Sequence, residues 1–419
     1  MSSLKAGQAS LRVNTLWNLA GSILPTVLSL ALIPVLLKAT GPEVYGVYSL
    51  FLLVTAYVPV LDLGVARACA LRISSLGMEQ WSAEVDQVVV TAWLTALGVA
   101  LPLACIALAA YEMIRYLLSA PTDDLPMLLL LLASVPVFIT QAVMVATLEG
   151  AGRFLNSNQF LVSGAAAALL LPTWAALSGG GAHEVIGAVL LGRLLPILVV
   201  LVLLRRTFLS GLTRRFVRPM AAEMLDFGRW YTVSAVVSQL MTHADRFTIG
   251  ALVGPAGVTH YGVPYQLSER GTMLATSVIG AAMPAIVKAQ GSERRQMLSR
   301  LWRKLLLLTT PAYLLALLAG GWFLSVWITP EFAQATGWVL PIVLAGHWLN
   351  GLARVPYADL LSRGKADLIA RIHLWQAVPT VITMAGLTFW VGIEGAAVAF
   401  TLRAGIDLLM LQHCARRLS

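Results

Sequence analysis

The chain has 419 residues, of which 58% are hydrophobic and only 12% charged, and its mean hydropathy is +0.80. Soluble domains carry about 25% charged residues, so there is too little polar surface here to wrap a water-soluble globule. The net charge of +9 would point to nucleic acid in a soluble protein; in a membrane protein it reports orientation, because Lys and Arg gather on the cytoplasmic side. Cys69, Cys105 and Cys414 are far apart, with neither metal-ligand spacing nor a disulfide framework.

The segment from Met1 to Leu11 is polar. The apolar run after it is longer than the roughly 7–15 residues of a signal-peptide core, so it reads as a retained first span. A span needs about 20 mostly apolar residues to cross about 30 Å of hydrocarbon. Twelve stretches meet this need: 13–37, 45–65, 88–110, 125–148, 158–177, 185–204, 227–253, 261–287, 305–327, 336–352, 370–391 and 395–412, the tenth being the shortest. Lipid offers nothing to an open strand edge, so these are helices. Barrel strands would alternate over about 10 residues instead.

Loop charges test the count. Alternate loops hold Lys5 and Arg12; Arg67 and Arg72; Arg153; Arg205, Arg206, Arg214, Arg215, Arg218 and Arg229; Lys288, Arg294, Arg295, Arg300, Arg303 and Lys304; Arg354, Arg363, Lys365 and Arg371; and Arg416 and Arg417. The opposite loops hold only Lys38 and Arg115. A miscounted span would scramble this alternation, so it supports twelve spans with both termini cytoplasmic.

The largest basic loop divides the chain into an N-terminal lobe at 1–204, a cytoplasmic linker at 205–226 and a C-terminal lobe at 227–419. A short internal match supports the division. Gly41-Pro42 and Tyr45-Gly46 lie between spans one and two; Gly254-Pro255 and Tyr261-Gly262 lie between spans seven and eight, at offsets of 213 and 216. Six spans return the chain to its starting side, so the two lobes are a parallel repeat. The expected fold is an all-α integral membrane protein with about twelve transmembrane helices in two six-helix lobes around a central cavity.

Enzyme signatures are missing. There is no Gly-x4-Gly-Lys-Ser/Thr phosphate loop, and His183-Glu184 lacks the second His of a zinc-protease pattern. Gly179-Gly180-Gly181 sits in an outer loop as a flexible turn, and Asp123-Asp124 reads as a solvated helix start. No cofactor or metal is expected, and no catalytic residue is assigned.

Eight ionisable residues fall inside the spans: Asp62, Arg193, Asp245, Arg246, Glu269, Arg270, Arg403 and Asp407. Each costs about 2.5–3.5 kcal/mol on insertion scales, so they face a bundle interior or a wet cavity. Arg193, Arg270 and Arg403 lie about 12–14 Å from the outer ends of their spans at 1.5 Å per residue, near the midplane, and Asp245 and Arg246 lie at a similar depth. Guanidinium groups in such a layer can hold a phosphate or pyrophosphate bidentately. Mutual pairing is the alternative: Arg403 with Asp407 at i,i+4, and Asp245 with Arg270 or Arg246 with Glu269. Arg193 has no acid in its own helix. Asp62 stands just before Gly64, where it can cap a helix. Asn14 and Asn18 share a face of span one with Gly21 and Pro25, placed to meet a polar headgroup or to bond a neighbouring helix. His243, His260 and His347 are open to a proton-relay or a packing role.

These residues resemble a family. Asn14, Trp17 and Asn18, then Ile33-Pro34, Gly41 to Tyr48 and Leu61-Asp62-Leu63-Gly64, are similar to the start of a Wzx-type polysaccharide flippase. Glu149-Gly150-Ala151-Gly152-Arg153, Asp245-Arg246 with Ile249-Gly250, and the Gly254 to Tyr265 turn add to it, over nearly the whole chain. The resemblance implies alternating access between two lobes, in a superfamily that also holds lipid II flippases and multidrug antiporters. It implies a polyprenyl-pyrophosphate-linked oligosaccharide as substrate, within the bacterial inner membrane, for O-antigen, capsule or exopolysaccharide assembly. Membrane lipid and glycan-assembly proteins are the expected partners, with no nucleic acid. Wzx-type members are associated with a cationic lumen, whereas the intramembrane charges here sum to zero. The substrate-binding candidates are Arg193, Arg246, Arg270, Arg403, Asn14 and Asn18; Asp62, Asp245, Glu269 and Asp407 are coupling or pairing acids. The alternatives are a multidrug or organic-cation antiporter and an integral-membrane glycan polymerase or ligase, the latter disfavoured by short outer loops.

Overall fold

The computed structural model describes residues 2–76, 83–117, 125–203 and 216–417; within these, side chains are described except at 2–25, 110–117, 202–203, 228–242 and 366. The described residues form fourteen α-helices and one short 3-10 turn, with no strand among them. In chain order the helices are α1 (Ser2–Thr55), α2 (Val65–Ser75), α3 (Ala83–Leu117), α4 (Leu125–Gly150), α5 (Phe154–Leu177), α6 (Ala182–Leu203) and α7 (Arg218–Leu252). They continue as α8 (Pro255–Glu269), α9 (Thr272–Lys288), α10 (Gly291–Trp327), α11 (Pro330–Thr336), α12 (Val339–Ser362), α13 (Ala366–Val391) and α14 (Ile393–Arg417).

Among the described residues, eight helical stretches are long and apolar enough to cross a membrane by length and composition. The chain is an all-α integral membrane protein. Helices α12 and α14 are not among those eight; they carry the pairs Arg354/Asp359 and Arg403/Asp407.

Three expected spans need correction. The second, 45–65, is not one helix. Helix α1 ends at Thr55, a 3-10 turn covers Val58–Asp62, and Leu63 and Gly64 take left-handed backbone angles before α2 restarts. The eighth, 261–287, is longer, Pro255 to Lys288, and tightens at Arg270 and Gly271 between α8 and α9, where the hydrogen bonds shorten to an i,i−3 pattern while both residues keep right-handed helical angles. The tenth ends not at 352 but at Ser362, because the helix runs on through Leu352, Ala353 and Val355, all buried. Arg354 therefore sits inside α12 rather than in a loop.

The chain divides into two compact units, Met1–Gly41 with Phe51–Leu240, and Pro42–Leu50 with Met241–Ser419. In the first, α5 and α6 approach closely: a Cβ at Gly192 would lie 2.6 Å from the Ala167 backbone. Small residues permit such contact between helices in lipid, where packing replaces the hydrophobic drive. Val137, Met144, Phe160 and Ile197 form a core across α4, α5 and α6, and Trp93 Nε1 donates to Thr140 Oγ1 at 2.9 Å between α3 and α4.

In the second unit α12 packs along α14, with Thr401 Oγ1 donating to Ile342 O at 2.8 Å and Phe400 lying against Gly346. The segment Pro42–Leu50 belongs to this unit. Thr259 Oγ1 donates to Pro42 O at 2.6 Å, Gly46 meets the Pro255 carbonyl so closely that a Cβ would collide, and Leu50 joins the core of Ile249, Val258 and Tyr261. The two Gly-Pro turns share one backbone conformation: Gly41 has φ 76° and ψ 169°, and Gly254 has φ 95° and ψ 179°. Glycine is needed at such a φ, and proline suits the first helical turn after it.

Candidate functional site

Buried polar groups in the second unit gather around α7, α8 and α12. Asp245 on α7 is 4% exposed and accepts a hydrogen bond from Tyr261 Oη at 2.7 Å. The adjacent Arg246 places its guanidinium carbon 4.5 Å from the Tyr265 ring centroid. Its Nη1 lies 2.9 Å from His243 Nδ1; a guanidinium only donates, so Nδ1 accepts. A cation over an aromatic face gains about 0.5–2 kcal/mol, more when water is excluded. His347 on α12 is buried, with Nδ1 3.0 Å from Val343 O and 3.1 Å from Ser268 Oγ. Its ring packs against Tyr265 and Phe400. The imidazole is thereby tied into the core that joins α8 to α12.

The remaining candidates divide by what they bond. Asp62 is spent on the backbone, accepting from Gly64 N at 2.6 Å and Ala66 N at 2.8 Å. Asp407 on α14 meets Gln376 Nε2 at 3.2 Å and His373 Nε2 at 3.4 Å, both from α13, rather than its helical neighbour Arg403. Arg403 is half-buried and makes no hydrogen bond or ion pair among the described residues. Glu269 ends α8 exposed, likewise with no such bond among the described residues, and Arg270 follows it half-buried in the turn. In the first unit, the Arg193 guanidinium lies 5.5 Å from the Phe138 ring centroid on α4. Asn14 and Asn18 lie on α1, with side chains outside the described residues.

Sequence reasoning missed Arg354. It is half-buried within α12, and its Nε is buried with no hydrogen-bond partner. Asn350, Arg354 and Tyr357 follow i, i+4, i+7 and share one helical face. The buried pattern continuing past residue 352 was the available signal. Two other arginines of this unit, Arg294 and Arg363, are bonded to an acid. Asp359, only 4% exposed, takes Arg294 Nε at 2.7 Å and Arg363 Nε at 3.0 Å, and Arg294 also donates to Ser362 Oγ.

The second unit thus holds guanidinium groups of two kinds. Arg294 and Arg363 share the one carboxylate of Asp359. Arg354 and Arg403 sit within helices with no counter-charge bonded to them among the described residues, which leaves planar, bidentate donors for an anion. No group of three or more His, Cys, Asp or Glu that could hold a metal occurs among the described residues.

Comparison with known proteins gives three findings. A Shigella flexneri protein named as a candidate O-antigen transporter is 23% identical over 406 residues, covering 95% of this chain and 96% of that one. Among solved structures, the lipid II flippase MurJ in an inward closed conformation matches with a TM-score of 0.67 and 15% identity, over 96% of this chain and 87% of that one. An inward-facing multidrug resistance transporter of the MATE family matches with a TM-score of 0.66 and 17% identity, over 97% and 94%. At those identities the two structures establish the fold. The model of the polysaccharide biosynthesis protein family matches residues 36–336, most of the chain, and the chain belongs to that family.

Proposed function

We propose that the protein is a flippase that carries a polyprenyl-pyrophosphate-linked oligosaccharide across the bacterial inner membrane for O-antigen, capsule or exopolysaccharide assembly. The observation that carries this reading is the family match over residues 36–336. The Shigella relative's name as an O-antigen transporter and the fold shared with a lipid II flippase support it. The chemistry agrees: a pyrophosphate is a multivalent anion, and Arg354 and Arg403 offer guanidiniums with no bonded counter-charge among the described residues. The sugar head passes these side chains while the polyprenyl tail stays in hydrocarbon. The role is transport rather than catalysis. The basic-loop bias supports cytoplasmic termini.

The test uses purified protein in liposomes loaded on one face with a fluorescent polyprenyl-pyrophosphate disaccharide. Translocation exposes the sugar to a lectin on the other face. Wild-type protein is expected to expose it. Arg354→Ala and Arg403→Ala are expected to slow exposure by about tenfold each, the equivalent of one lost charged contact of about 1.4 kcal/mol. Lysine at either position restores it only in part, because an ammonium cannot bind bidentately. Arg193→Ala tests the first unit in the same assay. Wild-type protein that leaves the sugar inaccessible overturns the reading.

A further inference from the structure

The second unit contains a cavity of about 360 Å³ lined by Leu267 on α8, Leu274 on α9, Tyr313, Ala316 and Trp322 on α10, and Leu344 on α12. No lining residue is charged. Its hydroxyl groups are already bonded: Tyr313 Oη donates to Ser268 O at 3.4 Å, and Ser268 Oγ donates to Val343 O at 3.2 Å. Apart from the Trp322 indole, the lining side chains offer an occupant no free hydrogen-bonding group, so the cavity suits a hydrocarbon chain. The helix that walls it, α10, is apolar and exposed along the same stretch, at Leu315 (67%), Leu318 (84%) and Trp322 (69%). In a membrane-spanning helix, such a surface meets lipid tails.

What distinguishes the tail of a carried lipid from an ordinary acyl chain is the position of its head. Helix α8 has two flanks. Tyr265 and Glu269, four residues apart, lie on the flank that carries Arg246 on the Tyr265 ring. Leu267, two residues from each, lies on the opposite flank and lines the cavity. Gly271, which also lines it, sits in the turn directly after Glu269 and Arg270. This turn follows the 15 residues of α8 and precedes the 17 of α9. At 1.5 Å per residue it is about 22–25 Å from either end of the pair, well inside a core about 30 Å thick when the helices tilt. A phospholipid resting in a leaflet keeps its head at the interface and does not bring charge to this depth. A lipid whose head is in transit does.

We propose that this cavity is a docking groove for the polyprenyl chain of the carried lipid, held on one flank of the eighth span while the anionic head is engaged on the other. The proposal rests on the flippase reading above. The tightened turn at Arg270 and Gly271 is the element through which chain and head stay connected. Gly271 lies against Tyr313, where a Cβ would come within about 2.5 Å of the phenol oxygen, so the turn and the groove wall are packed as one piece.

The test is photolabelling of the full chain in proteoliposomes with a diazirine-bearing polyprenyl-pyrophosphate disaccharide, beside diazirine-bearing phosphatidylglycerol. The polyprenyl probe is expected to mark the peptide spanning residues 312–323, and unlabelled polyprenyl substrate, but not added phosphatidylglycerol, is expected to compete. Ala316→Trp fills the groove and is expected to cut that labelling about tenfold. It slows translocation of the full-length polyprenyl substrate while sparing a farnesyl-linked analogue. Leu318→Trp, on the exposed face outside the groove, leaves both unchanged. If Ala316→Trp does not accumulate, Ala319→Val gives a smaller change in the same direction. Equal marking by both probes, or undiminished marking in the filled variants, overturns the groove. Wild-type translocation in the same vesicles judges the flippase reading separately, and the labelling decides the groove whichever way that falls.

Discussion

The second span of the first half and the second span of the second half both depart from a regular α-helix, and they do so differently: Leu63 and Gly64 turn left-handed, whereas Arg270 and Gly271 stay right-handed and only tighten the turn. In the first, Asp62 is buried and closes the gap by capping α2 with two backbone hydrogen bonds. In the second, Glu269 stands at the tightened turn exposed and bonds nothing among the described residues, with Arg246 and Tyr265 as its electrostatic neighbours. A carboxylate in a span must be compensated. The first site compensates it with backbone N–H groups and becomes a rigid joint. The second leaves its acid, and the arginine beside it, on the flank where charge is handled. The two acids thus differ in that one is bonded to the backbone and the other is not bonded among the described residues.

Four substitutions test that contrast. Asp359→Ala marks its far end, an acid wholly consumed by structure: leaving Arg294 and Arg363 without their partner is expected to cost on the order of 3 kcal/mol, read as a lower midpoint in thermal unfolding of the detergent-solubilised protein. Asp62→Ala removes a buried cap and is expected to cost about 2 kcal/mol on the same scale. If it left stability intact and slowed translocation instead, the contrast between the two sites would be lost. Tyr261→Phe strips Asp245 of its hydroxyl donor and is expected to cost about 1–2 kcal/mol, with circular dichroism showing unchanged helix content. Glu269→Gln is expected to move stability by less than about 0.5 kcal/mol while lowering the translocation rate in liposomes. An equal loss of stability at Glu269 and Asp62 would make both sites structural.

The helices were legible because continuous apolar runs of span length have one solution in lipid. The Gly-Pro match between residues 41–48 and 254–265 was legible too, and Gly41 and Gly254 do share a backbone conformation. The departures from regular helix were not. A hydropathy run sees Val58, Leu61 and Leu63 as apolar, whereas the helix stops there because an Asp side chain and left-handed residues satisfy the backbone another way. Arg354 was lost for a related reason: charge ended the apolar count before the helix ended. Spacing also misleads about pairing. Arg403 and Asp407 are i,i+4, yet Asp407 turns to Gln376 and His373 on α13. Which way a side chain leans depends on the neighbouring helix, and one-dimensional spacing does not contain that.

The placement of Pro42–Leu50 in the second unit bears on any attempt to split the chain. The basic loop at 205–226 looks like the natural point at which to express two co-produced fragments. A C-terminal fragment cut there would lack the nine-residue piece that caps Thr259 and seats Leu50 in its core. Supplied in trans as a peptide, that piece should rescue the fragment, and without it the fragment should be prone to proteolysis.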